Sequence, residues 1–246
     1  MTGSAPHQPS VIGVLGGMGP AATAHFQTRL VTLTDAAADA AHPVVVTWSD
    51  PGVPNRVAAL QGAGPSPVPR LHHGIGVLAG AGAQVLAVPC NTVHPFLPEA
   101  LAGFDLQLVD MIEVAAEQTA AAGITTAAVL ATAATLQHGM YARALDSRSV
   151  VAHAPAESTQ TAVLELIAAV KAGVPISDLV PGYEALVGEL AATGCDGVLV
   201  ACSEISAVAA SSAAAGGRSP LPVPVVDSVD TLARATLLAA GFTPRE

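Results

Sequence analysis

Two cysteines, Cys90 and Cys202, each close an apolar run: Leu86-Ala87-Val88-Pro89-Cys90-Asn91 and Val198-Leu199-Val200-Ala201-Cys202-Ser203. Polar residues follow both, Asn91 and Thr92 in one case and Ser203 and Glu204 in the other, and either turn could open a helix. A thiol in such a place can exchange a proton close to neutral pH. Its ordinary pKa of about 8.5 falls near a helix N-terminus. Inverting an amino-acid α-carbon needs two such groups, one to take the proton from one face and one to return a proton to the other. Backbone N–H groups of the same turns would cradle a carboxylate. Cysteine is also among the most buried residue types and packs as a small hydrophobe, which explains either residue taken alone at least as well. Cys195 has neither a polar turn nor a repeat partner and is assigned to packing.

Four further features could serve the same chemistry. Gly16-Gly17-Met18-Gly19-Pro20 follows the first apolar run, its glycines allowing close backbone approach to a ligand and Pro20 fitting a first helical position. Gly17, Gly19 and Ala22 also satisfy a dinucleotide fingerprint, but no acidic residue sits unambiguously at the end of the second strand, Asp50 lying about 30 residues on, so a carboxylate-binding turn is the more economical reading. Arg56 follows the loop Asp50-Pro51-Gly52-Val53-Pro54-Asn55 and could clamp a carboxylate, although a lone arginine is more often a surface residue. Lys171 is the single lysine of the chain, at the end of an apolar helix where dipole effects alone would favour it. His94 and Glu204 lie close to the cysteines, as tuning groups or as satisfied polar turns. The eight histidines show no metal-ligand spacing.

The elements that must position these residues are legible as alternating units. Apolar runs at Val11–Leu15, Val44–Thr47, Gln84–Val88, Thr126–Leu130, Ser149–Ala152, Gly197–Ala201 and Pro222–Val226 are separated by helix-length segments. Val163, Leu166, Ile167 and Val170 recur at helical spacing within Thr159–Lys171, stopped by Gly173 and Pro175. Leu179, Leu186, Val187 and Leu190 predict another helix ending near Gly194. Continuous apolar strands between helices imply parallel sheets buried on both faces. A weak repeat overlies this pattern. Val14-Leu15-Gly16 is echoed by Val129-Leu130-Ala131, the two cysteine runs by each other, and Val109-Asp110 by Val226-Asp227, in the same order. Duplicated α/β halves would place one cysteine at the carboxyl end of a strand in each, where open α/β sheets bind ligands.

Composition narrows the possibilities. With 51% hydrophobic and 11% charged residues the 246-residue chain is not a disordered one, and 3% aromatic content means cores of small aliphatic groups. A net charge of −10 argues against a nucleic-acid partner. No segment reads as membrane-spanning, Met1 to Ser10 has no signal-peptide pattern, and three cysteines without a CxxC pair argue against a disulfide scaffold. The expected location is the cytoplasm, where thiols stay reduced.

These residues resemble the aspartate/glutamate racemases, particularly their aspartate racemase branch, from about Val11 to Thr236. The resemblance rests on Gly16-Gly17-Met18-Gly19-Pro20, Asp50-Pro51 with Pro54 and Arg56, Pro89-Cys90-Asn91-Thr92 with His94, Cys202-Ser203-Glu204-Ile205, and Pro224-Val225-Val226-Asp227-Ser228. It implies an α/β fold of two pseudo-symmetric domains, each a parallel sheet flanked by helices, with the active site in the cleft between them. The expected division is residues 1–110 with 227–246 against residues 111–226. The resemblance further implies Cys90 and Cys202 as the catalytic pair. Asn91, Thr92, Ser203 and Glu204 would surround the substrate's α-carboxylate and amine, Arg56 and Lys171 would recognise an acidic amino acid, and Met18 would lie in the turn closing over it. No pyridoxal phosphate, metal or nucleotide is implied, and a homodimer is. Ser49, Ala201 and Ser203 depart from the family's usual residues, and Trp48-Ser49 is expected to reshape the side-chain pocket, leaving aspartate against glutamate open.

Other readings keep part of this picture. Relatives that isomerise maleate, racemise hydantoins or decarboxylate malonates also act through cysteine, and a substrate panel separates them. A non-catalytic amino-acid sensor would bind without exchanging the α-proton. A Schiff-base enzyme using Lys171 would be coloured or sensitive to borohydride.

Overall fold

The computed structural model describes residues 9–214 and 221–245, so most of the N-terminal stretch read for a signal segment lies outside it. Among the described residues, eight strands form two four-stranded sheets. The first holds β1 (Ile12–Gly16), β2 (Val45–Ser49), β3 (Val85–Ala87) and β4 (Gln107–Val109) in the order β2-β1-β3-β4. The second holds β5 (Thr126–Leu130), β6 (Val151–His153), β7 (Gly197–Val200) and β8 (Val225–Asp227) in the order β6-β5-β7-β8. All pairings are parallel. The two orders correspond strand for strand, as the internal repeat predicts. β4 is the strand that the apolar runs did not reveal.

Eleven α-helices are described: α1 (Pro20–Leu33), α2 (Arg56–Leu60), α3 (Val68–Gly80), α4 (Leu97–Ala100), α5 (Met111–Ala121), α6 (Ala133–His138), α7 (Met140–Asp146), α8 (Glu157–Lys171), α9 (Ile176–Ala192), α10 (Ser203–Ala214) and α11 (Ser228–Ala239). Pro20 opens α1, and α8 and α9 cover the two predicted amphipathic segments.

Strand residues alternate between two faces, and each face is closed by helices. Ile12 and Val14 pack with Phe26 and Leu30 of α1 and with Val229, Leu232 and Leu237 of α11. Leu15 faces the other way, toward Leu71, Ile75 and Leu78 of α3. In the second sheet Ala128, Leu130, Val198 and Val200 meet α8, α9 and α10, while Ala127, Val129 and Leu199 meet α5 and α7. Two helices therefore change sides. α5 follows the first sheet's last strand, yet Ile112, Ala115 and Ala116 pack on the second; α11 follows the second sheet's last strand and packs on the first. Both crossings are capped alike. The Asp110 carboxylate accepts from the N–H groups of Ile112 and Glu113, and that of Asp227 from Val229 and Asp230.

Candidate active site

In each sheet the chain leaves its central pair of strands in opposite directions. That switch point, at the carboxyl ends, is where such sheets leave a crevice. In the first sheet it lies between β1, which runs into the Gly16–Gly19 turn, and β3, which runs into Cys90. In the second it lies between β5, followed by Thr132, and β7, followed by Cys202. Both crevices open into one cavity of about 280 Å³, lined from both halves. Met18, Arg56, Cys90, Asn91, Thr92, Lys171, Cys202, Ser203 and Glu204, the catalytic and substrate-binding residues expected from the sequence, line it, and His94 does not. Val53, Asn55, Val57, Thr132, Thr135 and Ala201 complete the lining and were not foreseen. Extending the repeat by one residue past Ala131 would have found Thr132, which takes the place of Gly17.

The glycine turn is built from within. Gly17 has φ +91°, and its N–H donates to Thr23 Oγ1 at 2.8 Å, while that hydroxyl donates to the Gly19 carbonyl at 3.0 Å. Opposite it, the loop after β2 is pinned by Asp50. Arg70 grips that carboxylate with two bonds of 2.8 Å, and the Gly52 N–H adds a third. The Arg70 guanidinium holds the Asp50 carboxyl below the usual range, against a smaller opposing effect of burial. Asp50 is thus a loop anchor, and the dinucleotide alternative loses its acidic residue.

Arg56 is more engaged than an open clamp would be. Its guanidinium donates to the carbonyls of Val53, Pro54 and Met18 at 3.2–3.4 Å, tying the loop to the glycine turn, and its buried Nε alone has no partner. Lys171 ends α8 at the cavity rim with its side chain 60% exposed, and its Nζ lies 3.5 Å from Glu204 Oε1. An imine-forming lysine needs a desolvated or cation-flanked setting, which this is not.

The cysteines differ. Both are buried, 4% exposed. Cys202 precedes the twelve-residue helix α10, whose Glu204 and Ile205 N–H groups favour its thiolate. Burial outweighs them and pushes the thiol well above its ordinary value, and the Glu204 carboxylate, which accepts from Sγ at 3.2 Å, pushes the same way. Cys90 has no α-helix behind it. Asn91–Phe96 is a 3₁₀ turn with Pro95 inside, so only a short run of N–H groups faces this sulfur, and Thr92 Oγ1 lies 3.5 Å from it. Pro95 lacks the N–H and disfavours the α conformation before it, which is why the expected helix does not form.

Glu204→Gln is expected to shift the pH profile of Cys202 alkylation by iodoacetamide to lower pH, because the carboxylate that favours the thiol is gone. At neutral pH the gain in thiolate is partly offset by its lower nucleophilicity, leaving a net rise in the alkylation rate. Peptide mass spectrometry separates Cys202 from Cys90, and an unchanged profile would show that the carboxylate does not act on the sulfur.

His94 is a structural residue. Its Nε2 accepts from the Met111 N–H at 3.2 Å, so Nδ1 carries the proton and donates to the Cys90 carbonyl at 2.9 Å. Burial lowers its pKa and keeps it in this neutral form. It staples the cysteine turn to the start of α5. Cys195 packs in the second core, as expected from sequence. Trp48 and Ser49 do not line the cavity. Trp48 packs edge-on against His73 and beside Gly74 of α3, and Ser49 is exposed, so the expected reshaping of the pocket by this pair does not occur. A larger cavity of about 650 Å³ is bounded by α1, α10 and β8. It contains neither cysteine, and its Arg29 is already paired with Asp230.

The sequence profile of the Asp/Glu/Hydantoin racemase family matches residues 15–236. An aspartate racemase from Picrophilus torridus is 28% identical and superposes with a TM-score of 0.80, covering 96% of each chain. A broad specificity amino-acid racemase, RacX of Bacillus subtilis (strain 168), is 24% identical over 238 residues, 92% of this chain and 96% of its own. A glutamate racemase from Francisella tularensis, solved with D-glutamate, shares the fold at a TM-score of 0.61 and 14% identity, covering 94% of this chain and 81% of its own. With two sheets of one strand order meeting at a cavity that holds both cysteines, and a family match over most of its length, the chain belongs to the Asp/Glu/Hydantoin racemase family.

Proposed function

We propose that the protein interconverts L- and D-aspartate, with glutamate as the next candidate, by proton transfer between two cysteines and without a cofactor. The observation that carries this reading is the placement of Cys90 and Cys202 at the ends of equivalent strands, both on one cavity. One sulfur, as thiolate, takes the α-proton and becomes a thiol. The electron pair moves into the carboxylate as an enediolate, and the other thiol protonates the opposite face and is left as thiolate. The roles exchange in the reverse direction. Backbone N–H groups at the start of α10, with Asn91, Thr92 and Ser203, would hold the carboxylate on which that charge develops. The cavity is at the small end for ligand sites, about 300–1,000 Å³, as an amino acid requires. In the same reading the chain divides at 110/111 and 226/227, which the exchange of α5 and α11 between sheets supports.

Proton NMR of L-aspartate with purified, reduced protein in D2O tests the proposal. Loss of the α-proton signal, with D-aspartate appearing on a chiral column, is the expected result. Binding without exchange would leave a sensor, and exchange confined to other acids would leave a related isomerase.

One observation favours a broader substrate range. Both cations of the cavity are engaged, Lys171 by Glu204 and Arg56 by three carbonyls, so neither is reserved for an acidic side chain. The similarity to a broad specificity racemase points the same way. A panel of acidic, neutral and basic L-amino acids in the same assay decides it.

A further inference from the structure

Asn91 has a feature that the two-thiol scheme does not explain. It follows Cys90, it is 4% exposed, it lines the cavity, and its Nδ2 is buried with no protein partner. Its Oδ1 is not free: it accepts from the hydroxyl of Tyr141 on α7. The bond joins the two halves of the molecule, since Tyr141 packs with Met140, Ala144 and Leu145 on the second sheet while Asn91 opens the 3₁₀ turn that follows β3 of the first. An amide can be turned end for end with no change in shape, so its orientation has to be imposed by its partners. Tyr141 is 2% exposed, and burial first, with the Asp110 and Asp227 charges adding to it, keeps its phenol protonated at any ordinary pH. The Ser228 hydroxyl beside it pulls the other way, second only to burial, but makes no well-formed hydrogen bond. A buried O–H needs an acceptor, and Asn91 Oδ1 is the one it has.

We infer that Tyr141 is a positioning residue which locks the Asn91 amide with its N–H₂ toward the cavity, as a donor for the substrate's carboxylate. In the opposite orientation Oδ1 would face that carboxylate and repel it, while the two N–H groups would face the phenol. The repeat supports a dedicated role. Phe26 stands as far beyond Leu15 as Tyr141 stands beyond Leu130, and Ser203 follows Cys202 where Asn91 follows Cys90. The hydroxyl is present only in the half that meets an amide. Ser203 needs no such lock, because a hydroxyl rotates to suit its neighbours.

The inference rests on the substrate-site reading of this cavity. Its test is therefore a dissociation constant, measured calorimetrically with DL-aspartate so that turnover changes nothing. Tyr141→Phe is expected to weaken binding about tenfold, as befits a lost charge-assisted bond. KM should rise alike, and kcat should fall as well, because the carboxylate that the amide holds is where charge develops in the transition state. In an Asn91→Ala background the same substitution should have no further effect on binding. A role in packing alone would instead weaken both backgrounds equally and lower Tm in both. Asn91→Asp is the second variant. It keeps an acceptor for Tyr141 but removes the donor, so binding should fall. Unchanged affinity in Tyr141→Phe, equal loss in the Asn91→Ala background, or normal binding by Asn91→Asp each overturns the inference. A wild-type protein that binds aspartate without exchanging its α-proton sinks the racemase reading alone; one that does not bind it sinks both.

Discussion

Cys90→Ala and Cys202→Ala are each expected to lower racemisation of aspartate by about 10³-fold or more, with the substrate still bound. The magnitude follows from what a positioned acid or base contributes, typically 10²–10⁴-fold, and from the absence of any replacement on the same face. Of the other cavity groups, Glu204 is held by Lys171, and Thr92, Thr132 and Ser203 are alcohols that do not ionise near neutral pH. Solvent exchange adds a sharper signature. Each remaining cysteine faces one side of the α-carbon and can still remove and return a proton there. One variant should therefore incorporate deuterium from D2O into the L-enantiomer only, and the other into the D-enantiomer only, with little inversion in either. Identical exchange of both enantiomers in either variant would contradict a one-sulfur-per-face arrangement. Full turnover in one of them would end the two-thiol mechanism.

The parts of this molecule that were legible in the sequence are those with a strong local physical signature. Strands buried on both faces must be continuously apolar, so β1, β5 and β7 were plain, and the order of the repeat carried the equivalence of the two sheets. β4 escaped because Gln107 is exposed and only Val109 of its three residues is buried, so it makes no apolar run. The Val109-Asp110 echo of Val226-Asp227 marked its position nonetheless. Met18, Cys90, Asn91, Thr92, Cys202, Ser203 and Glu204 reach the cavity because glycine turns and strand ends are fixed by backbone geometry. Arg56 and Lys171 reach it from helix ends, whereas His94, Trp48 and Ser49 do not line it. What those side chains do on arrival was not legible. That Arg56 ties its own loop to Met18, that Lys171 is paired with Glu204, and that Tyr141 orients Asn91 depend on contacts between elements far apart in the chain. The 3₁₀ turn after Cys90 could have been foreseen from Pro95. The irrelevance of Trp48 to the pocket could not, since it depends on α3 being beside β2.

Gly17→Ala is expected to damage stability and activity together, and Gly19→Ala stability hardly at all. At Gly17 the backbone has φ +91°, and a Cβ would stand 2.3 Å from the Asp50 nitrogen and 2.5 Å from its carbonyl carbon. The left-handed conformation costs an alanine about 1–2 kcal/mol. The contact costs more, because the atoms met are backbone and cannot rotate away. Asp50 cannot retreat freely either: its N–H bonds the Gly16 carbonyl at 3.2 Å and its carboxylate is held by Arg70 and Gly52. A total of about 3 kcal/mol follows, roughly 6–12 °C in Tm for a chain of this size. The loop that has to move carries Val53, Asn55 and Arg56 into the cavity, and a displacement of about 1 Å at a positioning group can cost 10²-fold in rate. Gly19 has φ −102° and nothing within 4 Å of its missing Cβ, so its substitution by alanine should cost less than about 1 kcal/mol, most of it as a poorer helix cap. Thermal melts of the two variants, with kcat/KM for Gly17→Ala, make the comparison. Equal Tm losses would mean that any side chain is disfavoured in this turn. A normal Tm with lost activity in Gly17→Ala would mean that the loop yields without strain and that the glycine serves the substrate alone.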